Sequence, residues 1–371
     1  MHIFRTVSME RMNTPKKVLC IADAPGPAEF LAPVIPYMVR EAVVRVVAVG
    51  TARSVLKAFD PVICDDESQV SRIFMEFKPD LIVSAISSLA HGPYVNNAFI
   101  KLAHEQGVPV ISLQDYWGNH RWPQNKEIVP FLSAVCVPDQ LAESLWKEDG
   151  FKGVIAVTGN PAWDRFSDFD LERERHLMRA RLNLASEDHV ILFAGQGTRH
   201  HLEADRATFL YVTTAIRELQ KEFPTTKLIV RAHPRAAESE YYKEYARGIE
   251  MIDTAFAEFS EEVLPAADIA VSMFSTNLIH ACYMRIPAVS VLLPEQGRAL
   301  LRGVGLDDFP PTTMGASAGI YEENPQELVD VIKKLYTNQE YRLHMRDSQQ
   351  RHFVTDGQAV NRVVKQIQAF L

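Results

Sequence analysis

What the chain lacks narrows its chemistry before any motif is considered. It has no CxxC pair and no histidine-cysteine cluster at ligand spacing. Its four cysteines, Cys20, Cys64, Cys136 and Cys282, stand far apart and mostly inside apolar runs. A disulfide scaffold and a zinc-ribbon type of site are excluded, and the pattern fits buried free thiols in a reducing compartment. No apolar run reaches the roughly 18 residues that a membrane span needs, and the opening MHIFRTVSMERMNTPKK lacks the apolar centre of a signal peptide. A cytoplasmic protein with no transmembrane segment is expected, with residues 1–15 loosely held and peripheral membrane contact still allowed. A basic excess is missing as well: 39 Lys and Arg against 47 Asp and Glu give a net charge of −8. Nucleic acid, which demands a basic footprint, is therefore not the expected partner.

What is present is a repeated grammar. At 371 residues and 47% hydrophobic, the chain exceeds the size at which a single core keeps growing. Short β-branched runs alternate with helix-period segments: KVLCIADA (17–24), VVRVVAVG (43–50), LIVSAI (81–86), VPVISLQD (108–115), SAVCVPD (133–139) and VIAVTGN (154–160). After Asn160-Pro161 comes a charged helical stretch, and the pattern restarts with HVILFAGQGT (189–198), KLIVRAHPR (227–235), IEMIDTA (249–255), DIAVSMF (268–274) and PAVSVLL (287–293). Continuous apolar strands alternating with helices predict parallel sheets covered on both faces. The expected α/β architecture is two Rossmann-like, doubly wound domains facing a cleft, over 16–165 and 189–355. A connecting helix spans 166–188, and the segment 356–371 packs back on the first domain.

Ligands of open parallel sheets bind beyond the carboxyl ends of the strands, so polar residues there are the candidates. In FAGQGTRHH, Gly195, Gln196, Gly197 and Thr198 suit close approach of a phosphate, although an ordinary strand-to-loop turn uses the same residues and the Walker GK[ST] is absent. In VRAHPR, Arg231 and His233 stand at alternate positions around a strand end, where guanidinium and imidazole can hold a diphosphate or merely cap a strand. Ser275, Thr276 and Asn277 follow a buried run and open a helix: they are good N-caps, and a helix N-terminus also favours an anion. Glu295 follows the next strand and can accept hydrogen bonds from ribose hydroxyls. In the first half, Glu29 reads as a first-turn acid or a general base, while Asp115 and His120 lie in the polar-aromatic loop LQDYWGNHRW, which suits a sugar face or a surface plug.

Together these stretches resemble the GT-B superfamily of nucleotide-sugar enzymes. VTGNP at 157–161 resembles the hinge of UDP-N-acetylglucosamine 2-epimerases. The strand, STN, helix, IP, strand order is similar to the donor segment of those epimerases, of lipid-A-disaccharide synthase-like transferases and of CDP-glycerol glycerophosphotransferases, and RAHPR resembles the His-Pro motif of the last group. The chain departs from the epimerases in having no Ser-Gly-Gly at the helix start and Gly26-Pro27-Ala28-Glu29 in place of Arg-Pro-Glu. The resemblance implies a metal-independent glycosyltransferase-like enzyme without a cofactor. It would take a nucleotide-activated sugar, or a related nucleotide-diphosphate donor, and a carbohydrate or lipid-linked acceptor, in bacterial surface glycan or glycolipid synthesis. Gly195 to Thr198, Arg231, His233, Ser275, Thr276 and Glu295 would line the nucleotide site, His233 would help to hold the departing diphosphate, and Glu29, Asp115 or His120 would take the acceptor proton. The alternatives are a sugar-nucleotide epimerase or hydrolase and a non-catalytic sugar-nucleotide-binding protein.

Overall fold

The computed structural model describes residues 15–85, 94–196, 202–232, 240–254, 256–257, 260–293 and 298–371. The loosely held N-terminus expected from the sequence lies outside these, apart from its last residue. Two compact units divide the chain: one comprises the residues up to Ala162 together with Gln358–Leu371, the other Trp163–Gly357.

In the first unit, seven apolar runs form the strands β1 (Lys17–Ala22), β2 (Val43–Ala48), β3 (Val62–Ile63), β4 (Leu81–Ala85), β5 (Val110–Leu113), β6 (Ala134–Val137) and β7 (Val154–Val157). They make one parallel sheet in the order β3-β2-β1-β4-β5-β6-β7. The chain works outward from β1 to β3, then crosses back to lay β4 against the other side of β1. That reversal opens a crevice at the carboxyl ends of β1 and β4. Every residue of β4, β5 and β6 is buried, because helices cover both faces, and each Val, Ile or Leu so buried contributes about 1.5–3 kcal/mol. The C-terminal helix Ala359–Gln368 joins this core: Val363 and Ile367 pack with Val18, Cys20 and Ala22 of β1. Arg362 Nε donates to the Thr158 carbonyl at 2.8 Å, fastening the helix to the segment after β7.

The second unit repeats the plan with β8 (His189–Ala194), β9 (Thr226–Arg231), β10 (Met251–Ile252), β11 (Ile269–Ser272), β12 (Ala288–Val291) and β13 (Ala318–Ile320). Their order, β10-β9-β8-β11-β12-β13, is parallel throughout and reverses between β8 and β11. The charged helix Leu171–Arg181 buries none of its residues. It belongs to this unit because its arginines reach the unit's backbone: Arg175 Nη1 donates to the Ala267 carbonyl at 2.7 Å, and Arg179 Nη2 donates to the carbonyls of Ala185 and Asp188 at 2.6 and 2.8 Å. All four cysteines are buried free thiols. Among the described residues, no helix is long and apolar enough to cross a membrane.

Candidate functional site

The crevice of the first unit gathers carboxylates. Asp23 is the residue after β1 and is buried; Asp115 lies two residues past β5. Gly26 stands on the helix Pro25–Leu31, directly against Asp115: a Cβ added there would sit 2.5 Å from Asp115 Oδ2. A side chain at 26 would therefore force the Asp115 carboxylate to move. Asn119 Nδ2 donates to Asp115 Oδ1 at 2.7 Å, and Asn119 is itself held through its carbonyl, which accepts from Asn125 Nδ2 at 2.7 Å. The Asp115 carboxyl is pushed up to about 7, first by loss of water and then by the negative charges of Asp23 and Glu29, with the Asn119 bond opposing. An acid poised near neutrality at a strand end has the property a general base needs.

Two first-half expectations change. Glu29 falls beyond the first turn of its short helix, so the helix dipole does not account for it; its marked effect is on Asp115. His120 is no cleft base. It is 2% exposed, its ring stacks on Trp146 at 4.1 Å, its Nδ1 meets Gln114 Nε2 at 3.3 Å, and its Nε2 meets Asp149 Oδ2 at 2.9 Å. Burial outweighs the pull of Asp149 and lowers its pKa to about 4, so it is neutral at physiological pH. The loop around it is in part buried, with Tyr116, Arg121 and Trp122 half-buried. Trp117 and Asn119 are buried, and Trp117 Nε1 donates to Asp139 Oδ2 at 2.8 Å, so this part of the loop is packed into the unit's own interior.

The crevice of the second unit lies between β8 and β11 and is built from neutral donors and acceptors. Gly195 N donates to the Arg231 carbonyl at 2.9 Å. Gln196 accepts the Phe274 amide on its Oε1 at 2.9 Å, which ties the segment just after β8 to the turn after β11. Ser272 Oγ donates to the Ala194 carbonyl at 2.6 Å, closing the same gap one step earlier. Ser275 is the N-cap of the helix Thr276–Met284: its Oγ accepts from Asn277 N at 3.2 Å and lies 3.3 Å from Asn277 Nδ2. The cap reading of the triplet therefore describes Ser275 and Asn277, and Thr276 is its exposed member. Asn277 Oδ1 is buried and meets no partner among the described residues.

Arg231 lies at the end of β9, but its guanidinium is turned to the protein. Nη1 donates to the Thr254 carbonyl at 3.0 Å and Nη2 to the Ala257 carbonyl at 2.9 Å. That arrangement holds the chain beyond β10, and it removes Arg231 from the side chains spare for a diphosphate. Gly197, Thr198, His233 and Glu295 lie outside the described residues.

Three functional candidates went unread in the sequence. Asp23 was visible by the same strand-end rule that selects Asp115. Asp205 and His280 sit inside helices, where the helical pattern marks no special role. His280 is buried against Phe166, with ring centroids 5.5 Å apart, and burial lowers its pKa to about 4.

Comparison with known proteins follows the same lines. The family model described as CDP-Glycerol:Poly(glycerophosphate) glycerophosphotransferase matches residues 115–369, more than half of the chain. No curated protein matches the chain. Among solved structures it is similar to the Neisseria meningitidis UDP-GlcNAc 2-epimerase bound to UDP-GlcNAc, at 17% identity, covering 95% of this chain and 100% of that one with a TM-score of 0.70. It is similar also to Acinetobacter baumannii MurG, at 17% identity over 96% and 100% of the two chains with a TM-score of 0.62. A glycosyltransferase from Rickettsia africae ESF-5 shares 11% identity over 96% and 98%, with a TM-score of 0.59. These likenesses give the fold, two parallel α/β domains of the GT-B kind. The family match makes the chain an enzyme of the nucleotide-activated-donor type, and it belongs to the CDP-Glycerol:Poly(glycerophosphate) glycerophosphotransferase family.

Proposed function

We propose that the enzyme transfers a group from a nucleotide-diphosphate donor, a nucleotide-activated sugar or its glycerol counterpart, to a hydroxyl of a carbohydrate or lipid-linked acceptor, in bacterial surface polymer or glycolipid synthesis. One observation carries the reading: Asp115, a strand-end carboxyl pushed up to about 7 by burial and by Asp23 and Glu29, and held in place by Asn119. Such a group is ionised at mildly alkaline pH and retains a high affinity for a proton.

The acceptor O–H gives its proton to Asp115 as its oxygen bonds the transferred centre of the donor; the bond from that centre to the nucleotide breaks, and its electron pair leaves on the nucleotide's phosphate. The N-terminal end of the helix Thr276–Met284, with its partial positive charge, and the carboxamide of Gln196 are suited to that departing phosphate. His233 and Glu295 complete the proposed donor set, with His233 near the phosphates and Glu295 at the ribose. No metal is assigned to the phosphates.

Calorimetry with UDP, CDP, GDP, dTDP and CMP tests the donor half, on the wild type and on Thr276→Ala and His233→Ala. Absence of binding to the wild type by every nucleotide sinks the reading. Incubating the bound donor with and without a hydroxyl acceptor tests the other half: transfer dependent on acceptor and lost in Asp115→Asn supports it, while an epimer or free sugar formed without acceptor replaces it by the epimerase or hydrolase reading.

A further inference from the structure

Asp205 carries a carboxyl group, sits in the helix Leu202–Leu219 and is 1% exposed. A lone carboxylate in such a place is costly unless donors surround it. Three do. Gln196 N donates to Oδ1 at 2.6 Å, and the hydroxyls of Tyr241 (2.5 Å) and Tyr242 both donate to Oδ2. Among the described residues, no lysine, arginine or histidine makes an ion pair with it. The two phenols are kept protonated, since burial, reinforced by the Asp205 charge, raises both of their pKa values. Their rings are fixed in turn: Tyr241 and Tyr242 lie 4.3 Å apart by centroid, and Tyr242 packs edge-on against Phe209 at 4.9 Å.

The donors come from different places in the chain. Gln196 follows β8, and Tyr241 and Tyr242 open the helix Tyr241–Tyr245. Gln196 passes the constraint on, because the side chain whose backbone amide is held by Asp205 accepts the Phe274 amide of the turn before Ser275. Gly195 belongs to the same device. A Cβ there would collide with the Tyr242 hydroxyl and stand 3.3 Å from Asp205 Oδ2, so the glycine is demanded by this cluster. An apolar side chain of similar volume would fill the space at less cost in desolvation; what a buried, fully bonded carboxylate adds is a unique arrangement of the segments it joins.

We propose that Asp205 is a positioning residue: through Tyr241, Tyr242 and Gln196 it locks Gly195–Gln196 and the Phe274–Asn277 turn into one geometry that receives the donor nucleotide. The receiving role rests on the donor reading above; the locking role does not. Hydrogen exchange and nucleotide calorimetry separate the two. In Asp205→Asn, and in the gentler Tyr242→Phe that leaves the carboxylate in place, the amides of Gln196 and Phe274 lose protection together, although Phe274 makes no bond to Asp205. Nucleotide affinity falls about tenfold or more, KM for the donor rises by a similar factor, and KM for the acceptor is unchanged. If Asp205→Asn does not fold, Tyr242→Phe carries the test alone. Wild-type protection at Phe274 in a folded variant overturns the lock, and a loss of protection with unchanged nucleotide affinity overturns its role at the site. If the wild type binds no nucleotide, the donor reading falls and the receiving role with it, while exchange at Phe274 still decides the lock.

Discussion

The two units are built on one plan and present opposite chemistry at the same place. Each has a parallel sheet whose strand order reverses once, at β1/β4 in the first and β8/β11 in the second. At the first reversal, three acids come within electrostatic reach of one another and Asp115 is left with a high affinity for a proton. At the second, the buried acid Asp205 is consumed by protein donors, and the edge consists of amides, hydroxyls and a helix N-terminus. A fold supplies a location; whether the acid there is a base or a brace depends on how many donors the surrounding chain gives it.

The largest effect that would break this contrast is at Asp115. Asp115→Asn is expected to lower acceptor-dependent kcat/KM by about 10²–10⁴-fold, the usual contribution of a general base, with donor affinity by calorimetry unchanged. An equal loss of donor affinity would erase the division of labour.

The pH dependence follows from the direction of its shift. As the proposed base, Asp115 would act as carboxylate, so kcat/KM is expected to rise with pH and level off above about 7, and the limb to disappear in Asp115→Asn. Stability runs the other way. The folded state holds this proton more tightly than the unfolded chain does, so the contribution of Asp115 is intact below the ordinary carboxylate range and is lost as pH rises towards about 7. Thermal melts should show Asp115→Asn more stable than the wild type near pH 8 and close to it at about pH 4.

A paired substitution sharpens the comparison. Gly26→Ala crowds Asp115, and Gly195→Ala crowds the Tyr242 hydroxyl. The first is expected to cut turnover about tenfold while sparing nucleotide binding, the second to weaken nucleotide binding by about the same factor, and each to cost about 1–3 kcal/mol in a denaturant titration. Kinetics and calorimetry on both proteins decide whether the effects cross over.

Smaller changes are expected at His120. His120→Gln removes a stacked, doubly bonded ring and should cost about 1–2 kcal/mol of stability, with kcat within about threefold of wild type under saturating substrates. A loss of about a hundredfold would return His120 to the chemistry. The least effect of all is expected from a chelator: with no metal assigned to the donor phosphates, EDTA-treated and untreated enzyme should turn over at the same rate.

Much of this molecule was legible in one dimension. The apolar runs that became β1, β4, β8 and β11 announce themselves because a strand buried on both faces needs continuous hydrophobicity. Asp115 and Gln196 were selected by a rule that needs only the end of a strand. The same rule misjudged His120 and Arg231. Their partners lie far along the chain: Asp149 is 29 residues from His120, and Thr254 is 23 residues from Arg231. Local spacing marks Arg231 as a donor and His120 as a base, and does not say which partner reaches either first. Asp205 shows the converse, since nothing near it in the sequence marks it: the tyrosines it binds are 36 and 37 residues away.

By itself, then, the sequence determined the alternation of strands and helices, the two-unit division and the strand ends at which chemistry had to be sought, because hydrophobic period and turn chemistry act over a few residues. The tertiary structure alone decided the strand order, the gathering of Asp23, Glu29 and Asp115, the diversion of Arg231 and His120 into structural roles, and the capture of Asp205 by two tyrosines. Ionisation and hydrogen bonding depend on distance in space: the crossover from β3 to β4 brings Asp115 to Asp23, the run from β8 to β10 brings Tyr241 and Tyr242 to Asp205 and Thr254 to Arg231, and the run from β5 past β6 brings Asp149 to His120.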